Sequence, residues 1–333
     1  MSQPLIQTVH LKKYFKTSSG MLHAVDDVNL TINEGKTLGV VGESGCGKST
    51  LGRCILRLLE ASEGEILYDG QNILNFDKHN MRNLRREMQI IFQDPYSSLN
   101  PRMTVSEIIA EPMRVNKTCK SKNELRERVT KLMDTVGLAP RLENAYPHEL
   151  DGGRRQRIGV ARALSVNPRF IVCDEPVSAL DVSIQAQILN LLMDLQEEMG
   201  LTYMFITHDL SVVRHISNEI AVMYLGQCVE RADSEELFQN PMHPYTKALL
   251  SAIQVPDLRY RGKKREVIRG EVTSPIDPKP GCRFADRCPH ACDACRQGTI
   301  PLRDQGKGHF VACTLYQEGE LAEKEERQSP KEG

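Results

Sequence analysis

Apolar and polar residues alternate through "LIQTVHLKKYF" and again through "HAVDDVNLTI", a period of two that predicts a pair of half-buried strands near the N-terminus. After the turn "EG", the run "KTLGVV" is short and apolar, as a strand buried on both faces requires, and a helix begins at "GKSTLGRCILRLLE". A hairpin-like piece, "GEILYDGQNI", leads to a basic helix, "NMRNLRRE", and the strand "MQIIF". From about residue 104 to 165 the period is helical throughout. Alternation then returns: strand "FIVCDE", helix "SIQAQILNLLMDLQEEMG", strand "LTYMFITH", a short helix and strand "EIAVMYL". Strand, helix, strand with apolar strands predicts a parallel α/β core carrying a helical insert. Past Pro256 the composition shifts to Pro, Arg, Gly and Cys with little period, and the closing "EGELAEKEERQSPKEG" is charged and poor in apolar residues, as a disordered tail would be. No internal repeat is visible.

A chain of 333 residues with 40% hydrophobic content suits one large domain plus an appendage. Its 43 basic and 44 acidic residues leave a net charge of −1, which argues against a nucleic-acid-binding protein. No run reaches the ~18 apolar residues of a membrane span, and "MSQPLIQTVH" lacks the basic-then-apolar build of a signal peptide, so a soluble cytoplasmic chain is expected. Cysteine use divides the chain: Cys46, Cys54, Cys119, Cys173 and Cys228 are scattered singly, whereas five more crowd between residues 282 and 313. Reduced thiols in the body and a ligand site near the end account for that better than disulfides throughout.

The strongest chemical signal is "GESGCGKST": Gly42, Glu43, Ser44, Gly45, Cys46, Gly47, Lys48, Ser49 and Thr50 fit G-x-x-x-x-G-K-[ST] between a strand and a helix. Glycines let backbone N–H groups wrap phosphates, Lys48 reaches the β and γ oxygens of ATP, and the Ser49 hydroxyl can ligate Mg²⁺. A second site follows in "RFIVCDEP", where an apolar strand ends in Asp174, placed to hold Mg²⁺ through water, and Glu175, placed to act as general base on the attacking water. His208 in "THDLS" ends another strand and can hydrogen-bond a γ-phosphate; Gln93, ending "MQIIFQ", can bridge Mg²⁺ and the water. Taken singly these would read as a capped helix, an acidic turn, a core histidine and an unremarked glutamine. Their company gives them weight.

In order, "GESGCGKST", "IIFQDP", "ELDGGRRQR", "FIVCDEP", "SALD" and "ITHD" resemble the ATP-binding subunit of an ABC transporter over residues 1 to about 240. The resemblance implies an α/β P-loop NTPase of the ABC ATPase type with a helical subdomain, working as a head-to-tail dimer with each ATP between one P-loop and the other subunit's signature segment. It makes Gln93 the Q-loop residue, Glu175 the catalytic base, Asp181 of "SALD" the D-loop aspartate, His208 the switch histidine, and Asp151, Gly152 and Gly153 the signature that meets the partner's nucleotide. It also implies that Phe15, or its neighbour Tyr14, stacks on adenine, although either ring could equally be core packing.

"QDPYSSLNPRMTV" and "NPMHPYTKALLSAI" are similar to the oligopeptide/dipeptide importer branch, as is the C-terminal "GCRFADRCPHACDACRQGTIPLRDQGKGHFVAC". That branch implies a 4Fe-4S cluster on Cys282, Cys288, Cys295 and Cys313, spaced C-x5-C-x6-C-x17-C. Four thiolates also suit zinc, and Cys292 forms a C-x2-C pair with Cys295, so spacing leaves both the metal and the ligand set open. The expected division is an ATP-binding domain over 1–255 with a helical insert over about 94–165, a small Cys-rich extension over 256–316, and a charged tail over 317–333. The implied function is ATP-driven peptide import at the cytoplasmic face of the membrane, the chain being peripheral there. The implied partners are a similar but distinct ATP-binding subunit, two membrane permease subunits docked on residues 94–150, and indirectly an extracytoplasmic substrate-binding protein. Nickel chelate or glutathione uptake, and a non-transport ABC ATPase, are the alternatives. One residue departs from the family pattern: Asp151 stands where the usual "LSGGQ" has serine, with Arg154 in place of its glutamine. A carboxylate there competes with the phosphate a helix N-terminus attracts, unless it serves as a helix cap. It therefore implies a heterodimer with unequal nucleotide sites.

Overall fold

A computed structural model describes residues 4–252 and 274–316. Strands β1 (Pro4–Thr17) and β2 (Gly20–Asn33) pair antiparallel, and β4 (Glu63–Tyr68) and β5 (Gln71–Asn72) complete a four-stranded sheet ordered β2-β1-β4-β5. This sheet lies over helix α1 (Lys48–Ile55), which follows β3 (Thr37–Val41); Leu11, Val25, Val28, Leu51, Cys54 and Ile55 are fully buried between them.

The second sheet holds the core. Helix α2 (Lys78–Glu87) feeds β6 (Met88–Ile91), and helices α3 (Pro95–Ser98), α4 (Val105–Val115), α5 (Lys122–Thr135) and α6 (Gly152–Leu164) form the insert between β6 and β7 (Phe170–Asp174). Helix α7 (Val182–Met199) leads to β8 (Thr202–Thr207), and short α8 (Leu210–Ile216) leads to β9 (Glu219–Tyr224). The parallel order is β9-β3-β8-β7-β6. Every residue of β3, β7 and β8 is buried, as expected where helices cover both faces, and this is why those strands read as unbroken apolar runs. The helices start where local chemistry allows: Thr104 and Glu107 close a capping box on α4, and Gly200, at φ 66°, ends α7 in the left-handed region, which glycine adopts freely.

The expected Cys-rich extension, where described, is tied to the main sheet. Strand β10 (Gln227–Asp233), followed by α9 (Ser234–Gln239) and α10 (Pro244–Ala252), pairs with β9 and also with β12 (Phe310–Val311), itself paired with β11 (Arg303–Asp304). The Cys-rich segment thus lengthens the main sheet. Phe284, only 1% exposed, packs with Tyr224 and Tyr245, a burial worth about 2–3 kcal/mol. Among the described residues no helix is long and apolar enough to cross a membrane. The expected disordered tail, 317–333, lies outside the described residues.

Candidate functional site

Strands β3, β6, β7 and β8 run parallel, so their carboxyl ends meet on one edge of the sheet, the usual crevice for ligands in open α/β folds. The P-loop, Asp174, Gln93 and His208 follow those four ends. Two glycines of the loop cannot be replaced. Gly47 caps α1 at φ 101°, and a Cβ there would stand 1.9 Å from the Ala24 carbonyl oxygen; on Gly42 it would stand 2.1 Å from that of Met223. The loop is therefore pressed against β2 and β9.

Lys48 is 5% exposed, and its ammonium donates to the carbonyl oxygens of Gly42 (2.7 Å) and Glu43 (3.0 Å), which folds the loop around it. The Ser49 hydroxyl donates to Asp174 Oδ1 at 2.6 Å. Burial raises the Asp174 carboxyl above its ordinary value, against the opposing effects of the Ser49 hydrogen bond and of Arg53, whose guanidinium lies 3.7 Å from Oδ2. A hydroxyl and a carboxylate oxygen side by side suit a hard cation that prefers oxygen.

Glu175 adopts φ 47°, the left-handed region that a side chain other than glycine's rarely enters. Its N–H donates to the Ile206 carbonyl at 2.9 Å, so the turn is held by β8. Its carboxylate gathers two further predicted residues: Gln93 Nε2 donates to Oε2 at 2.9 Å, and His208 Nδ1 lies 3.4 Å from the same oxygen. P-loop, Asp174, Glu175, Gln93 and His208 thus form one group.

Asp151, Gly152, Gly153 and Asp181 form a second group. Asp151 caps α6: Oδ1 accepts from the Arg154 N–H at 2.8 Å, and Oδ2 pairs with the Arg154 guanidinium at 2.7 Å. Arg155 turns elsewhere, donating to the Pro147 carbonyl at 2.7 Å. A Cβ on Gly152 or Gly153 would meet Leu180 or Ile184 at 3.0 and 2.7 Å, so α6 begins tight against the start of α7, which Asp181 caps through the Ile184 N–H. The Ser183 hydroxyl bond first, then the Ile184 N–H, lowers the Asp181 carboxyl below its ordinary value.

On β1 the two aromatic candidates separate. The Tyr14 hydroxyl donates to Asp26 and its ring stacks on His23 with centroids 4.0 Å apart, whereas the half-buried Phe15 ring carries the Lys13 ammonium 4.9 Å from its centroid. Tyr14 is thereby committed to the fold.

Cys282, Cys288, Cys295 and Cys313 line one small cavity, and exposed Cys292 stands outside its lining, with Sγ 3.6 Å from that of Cys295. Burial, and secondarily the neighbouring thiols, push Cys282 up to about 12 and Cys313 to about 11, so these two would need a positive group beside them to become thiolates. His243, 1% exposed, lines the same cavity. Its Nδ1 accepts the Tyr245 N–H at 3.1 Å, which leaves the proton on Nε2, and Nε2 has no partner among the described residues. Four thiols and an unused buried N–H donor suit a group that brings metal charge to the thiolates and sulfur acceptors to the N–H. Among the described residues no three His, Cys, Asp or Glu side chains are arranged to hold a metal ion, which favours neither the iron–sulfur cluster nor zinc.

Sequence reasoning missed Arg53, Tyr245 and Arg287. The Arg287 guanidinium forks onto the Glu43 carboxylate at 2.9 and 3.1 Å, and the Tyr245 hydroxyl accepts the Glu43 N–H at 2.9 Å. "NPMHPYTKALLSAI" marked a branch resemblance but carried no sign of these contacts.

Two family models match the chain: "ABC transporter" over residues 25–178, and "Oligopeptide/dipeptide transporter, C-terminal region" over residues 229–295. A putative oligopeptide transport ATP-binding protein, YkfD of Bacillus subtilis, is 50% identical over 323 residues, covering 96% of this chain and 98% of that protein. The oligopeptide transport ATP-binding protein OppF of Salmonella typhimurium is 52% identical over 303 residues, covering 91% of this chain and 90% of that protein. Among solved structures, the ATP-binding cassette MJ0796, a dimer in a post-hydrolysis state bound to ADP and Pi, superposes with a TM-score of 0.64 at 31% identity, covering 69% of this chain and 98% of that one.

Proposed function

The chain belongs to the ABC transporter family of ATP-binding proteins, and we propose that it is the ATP-hydrolysing subunit that drives peptide import through a membrane transporter. The observation that carries this reading is the meeting of Lys48, the Ser49–Asp174 pair and the Gln93–Glu175–His208 cluster on one sheet edge. Lys48 and the P-loop N–H groups hold the phosphates. Ser49 and Asp174 would hold Mg²⁺, which supplies charge neutralisation on the phosphate oxygens. Glu175 takes a proton from the attacking water, Gln93 keeps its carboxylate aimed, and His208 stands ready to hydrogen-bond the transferred phosphate. Phe15 stacks on the adenine.

Two such cassettes meet head to tail, so Asp151, Gly152, Gly153 and Asp181 face the second subunit's nucleotide. The second cassette is a similar but distinct chain. Two membrane permease subunits dock on residues 94–150, a reading supported by Tyr96, Val115 and Tyr146, large side chains left 59%, 57% and 39% exposed there. A separate extracytoplasmic binding protein delivers the solute, and the chain itself sits peripherally on the cytoplasmic face. The working division is an ATP-binding unit over 1–255 with its insert over 94–165, an extension over 256–316, and the tail beyond.

Peptide as solute rests on the C-terminal region model and on the relatives' names. Vesicles holding the assembled transporter should take up labelled peptide only with ATP and the binding protein present; co-purification with ribosomes or DNA in place of permeases would overturn the reading. Lys48→Ala should weaken nucleotide binding itself by about ten- to a hundred-fold, the worth of a charged hydrogen bond, as measured by equilibrium binding of a fluorescent ATP analogue. Unchanged affinity would remove Lys48 from the phosphates.

Cys282, Cys288, Cys295 and Cys313 would hold a 4Fe-4S cluster, with the His243 N–H donating towards its sulfur. The group supplies cross-linking of a segment poor in apolar residues. Protein made and purified without oxygen should carry about four iron and four sulfide per chain. Stoichiometric zinc without iron would overturn this assignment.

A further inference from the structure

Glu43, the second residue of the P-loop, is held from three directions. Its carbonyl oxygen accepts from Lys48 at 3.0 Å, its N–H donates to the Tyr245 hydroxyl at 2.9 Å, and its carboxylate takes both arms of the Arg287 fork at 2.9 and 3.1 Å. Only the first of these belongs to the nucleotide-binding motif. Arg287 lies 244 residues further along the chain and directly precedes Cys288, one of the four thiols lining the cavity. The Arg287 side chain is 8% exposed and that of Glu43 26%, so the pair is partly shielded from water and less screened than a surface ion pair. The same guanidinium also donates to the Tyr224 hydroxyl at 3.1 Å. Its backbone N–H donates to the Phe284 carbonyl at 3.0 Å, and the Phe284 ring packs edge-on against Tyr224. The turn from Cys282 to Cys288 and the phosphate-binding loop therefore share one set of contacts.

We infer that Arg287 is a positioning residue for the P-loop, and that through its fork on Glu43 the affinity for ATP depends on the packing of the thiol-lined extension. The fork fixes the direction of the Glu43 peptide, and Glu43 in turn offers the carbonyl oxygen that steers Lys48. A shift of the 282–288 turn moves the guanidinium, frees Glu43 and lets Lys48 drift. Linkage makes the effect mutual: bound ATP, which selects the ordered loop, steadies the extension. The inference rests on the reading of residues 42–50 as the ATP site.

The test is a double-mutant cycle on the full chain purified without oxygen, with Arg287→Met, Glu43→Gln and the two combined. Two readouts are taken: affinity for a fluorescent ATP analogue, and hydrogen–deuterium exchange of the backbone of residues 282–288 by mass spectrometry. Each single change should weaken binding about ten-fold, and the double change no further, because both remove one interaction. Arg287→Lys should fall between, restoring the charge without the fork. In the unsubstituted chain saturating ATP should slow exchange there several-fold, and Arg287→Met should abolish that protection. Additive losses in the cycle, or exchange indifferent to ATP, would mean that Arg287 merely anchors the extension. An unsubstituted chain that binds no nucleotide would overturn the ATP-site reading as well, which separates the two failures.

Discussion

Replacing Glu175 by Gln should leave ATP binding intact and lower steady-state hydrolysis by the assembled transporter about 10²–10⁴-fold, the usual worth of a general base. The geometry isolates that carboxylate. Its Oε2 takes the Gln93 amide at 2.9 Å and lies 3.4 Å from His208 Nδ1, while Lys48 donates to the loop carbonyls of Gly42 and Glu43 and makes no contact with it. Gln keeps the volume and one acceptor oxygen, so the backbone turn at φ 47° and the contact with Gln93 persist. What disappears is the capacity to accept a proton from water. Phosphate release measured beside equilibrium ATP binding separates the two effects: the variant should bind as the parent does and turn over slowly, the reverse of the loss expected for Lys48→Ala. Near-normal turnover would place the base elsewhere.

Legibility in the sequence followed the distance over which each feature is built. The P-loop was readable because its nine residues are consecutive and their flanking strand and helix are apolar runs of the right length. Asp174 and Glu175 were readable because β7, buried along its whole length, ends on one carboxylate, which a core strand would otherwise exclude, and is followed at once by another. The meeting of Gln93, Glu175 and His208 needed only the parallel order of β6, β7 and β8, which a strand-helix alternation implies. The C-terminal region was different. Strands β11 and β12 are two residues each, too short to show a period, and they exist because β10 offers them an edge. The contacts of Arg287 with Glu43, and of Arg283 with Asp26, join residues more than 240 apart and leave no local trace. Cys292 was ambiguous because spacing alone cannot say which thiols face inward; burial can, and it leaves Cys292 exposed.

Asp151 carries the second large expectation. The N-terminus of α6 offers unpaired N–H groups and the positive end of a helix dipole, the features that draw a phosphate. Here the Asp151 carboxylate claims part of that capacity, taking the Arg154 N–H at 2.8 Å and the Arg154 guanidinium at 2.7 Å. The guanidinium offsets the charge, so repulsion of a facing phosphate is reduced. It does not replace the hydroxyl donor that the family's serine supplies, because an ionised carboxylate only accepts. This chain's own Lys48, Asp174, Glu175 and His208 are complete, so its nucleotide, facing a serine-bearing signature on a distinct second subunit, should be hydrolysed normally. The second subunit's nucleotide, facing Asp151, should turn over slowly. In the assembled transporter, Glu175→Gln should therefore stop most ATPase activity, while loss of the corresponding base in the other subunit should cost much less. Asp151→Ser should narrow that gap by raising the slow site, since serine caps a helix nearly as well and brings back the donor. Equal losses from the two bases, or full activity in a homodimer of this chain, would show that Asp151 does nothing beyond closing the helix, and that Arg154 suffices to make a carboxylate tolerable beside a phosphate.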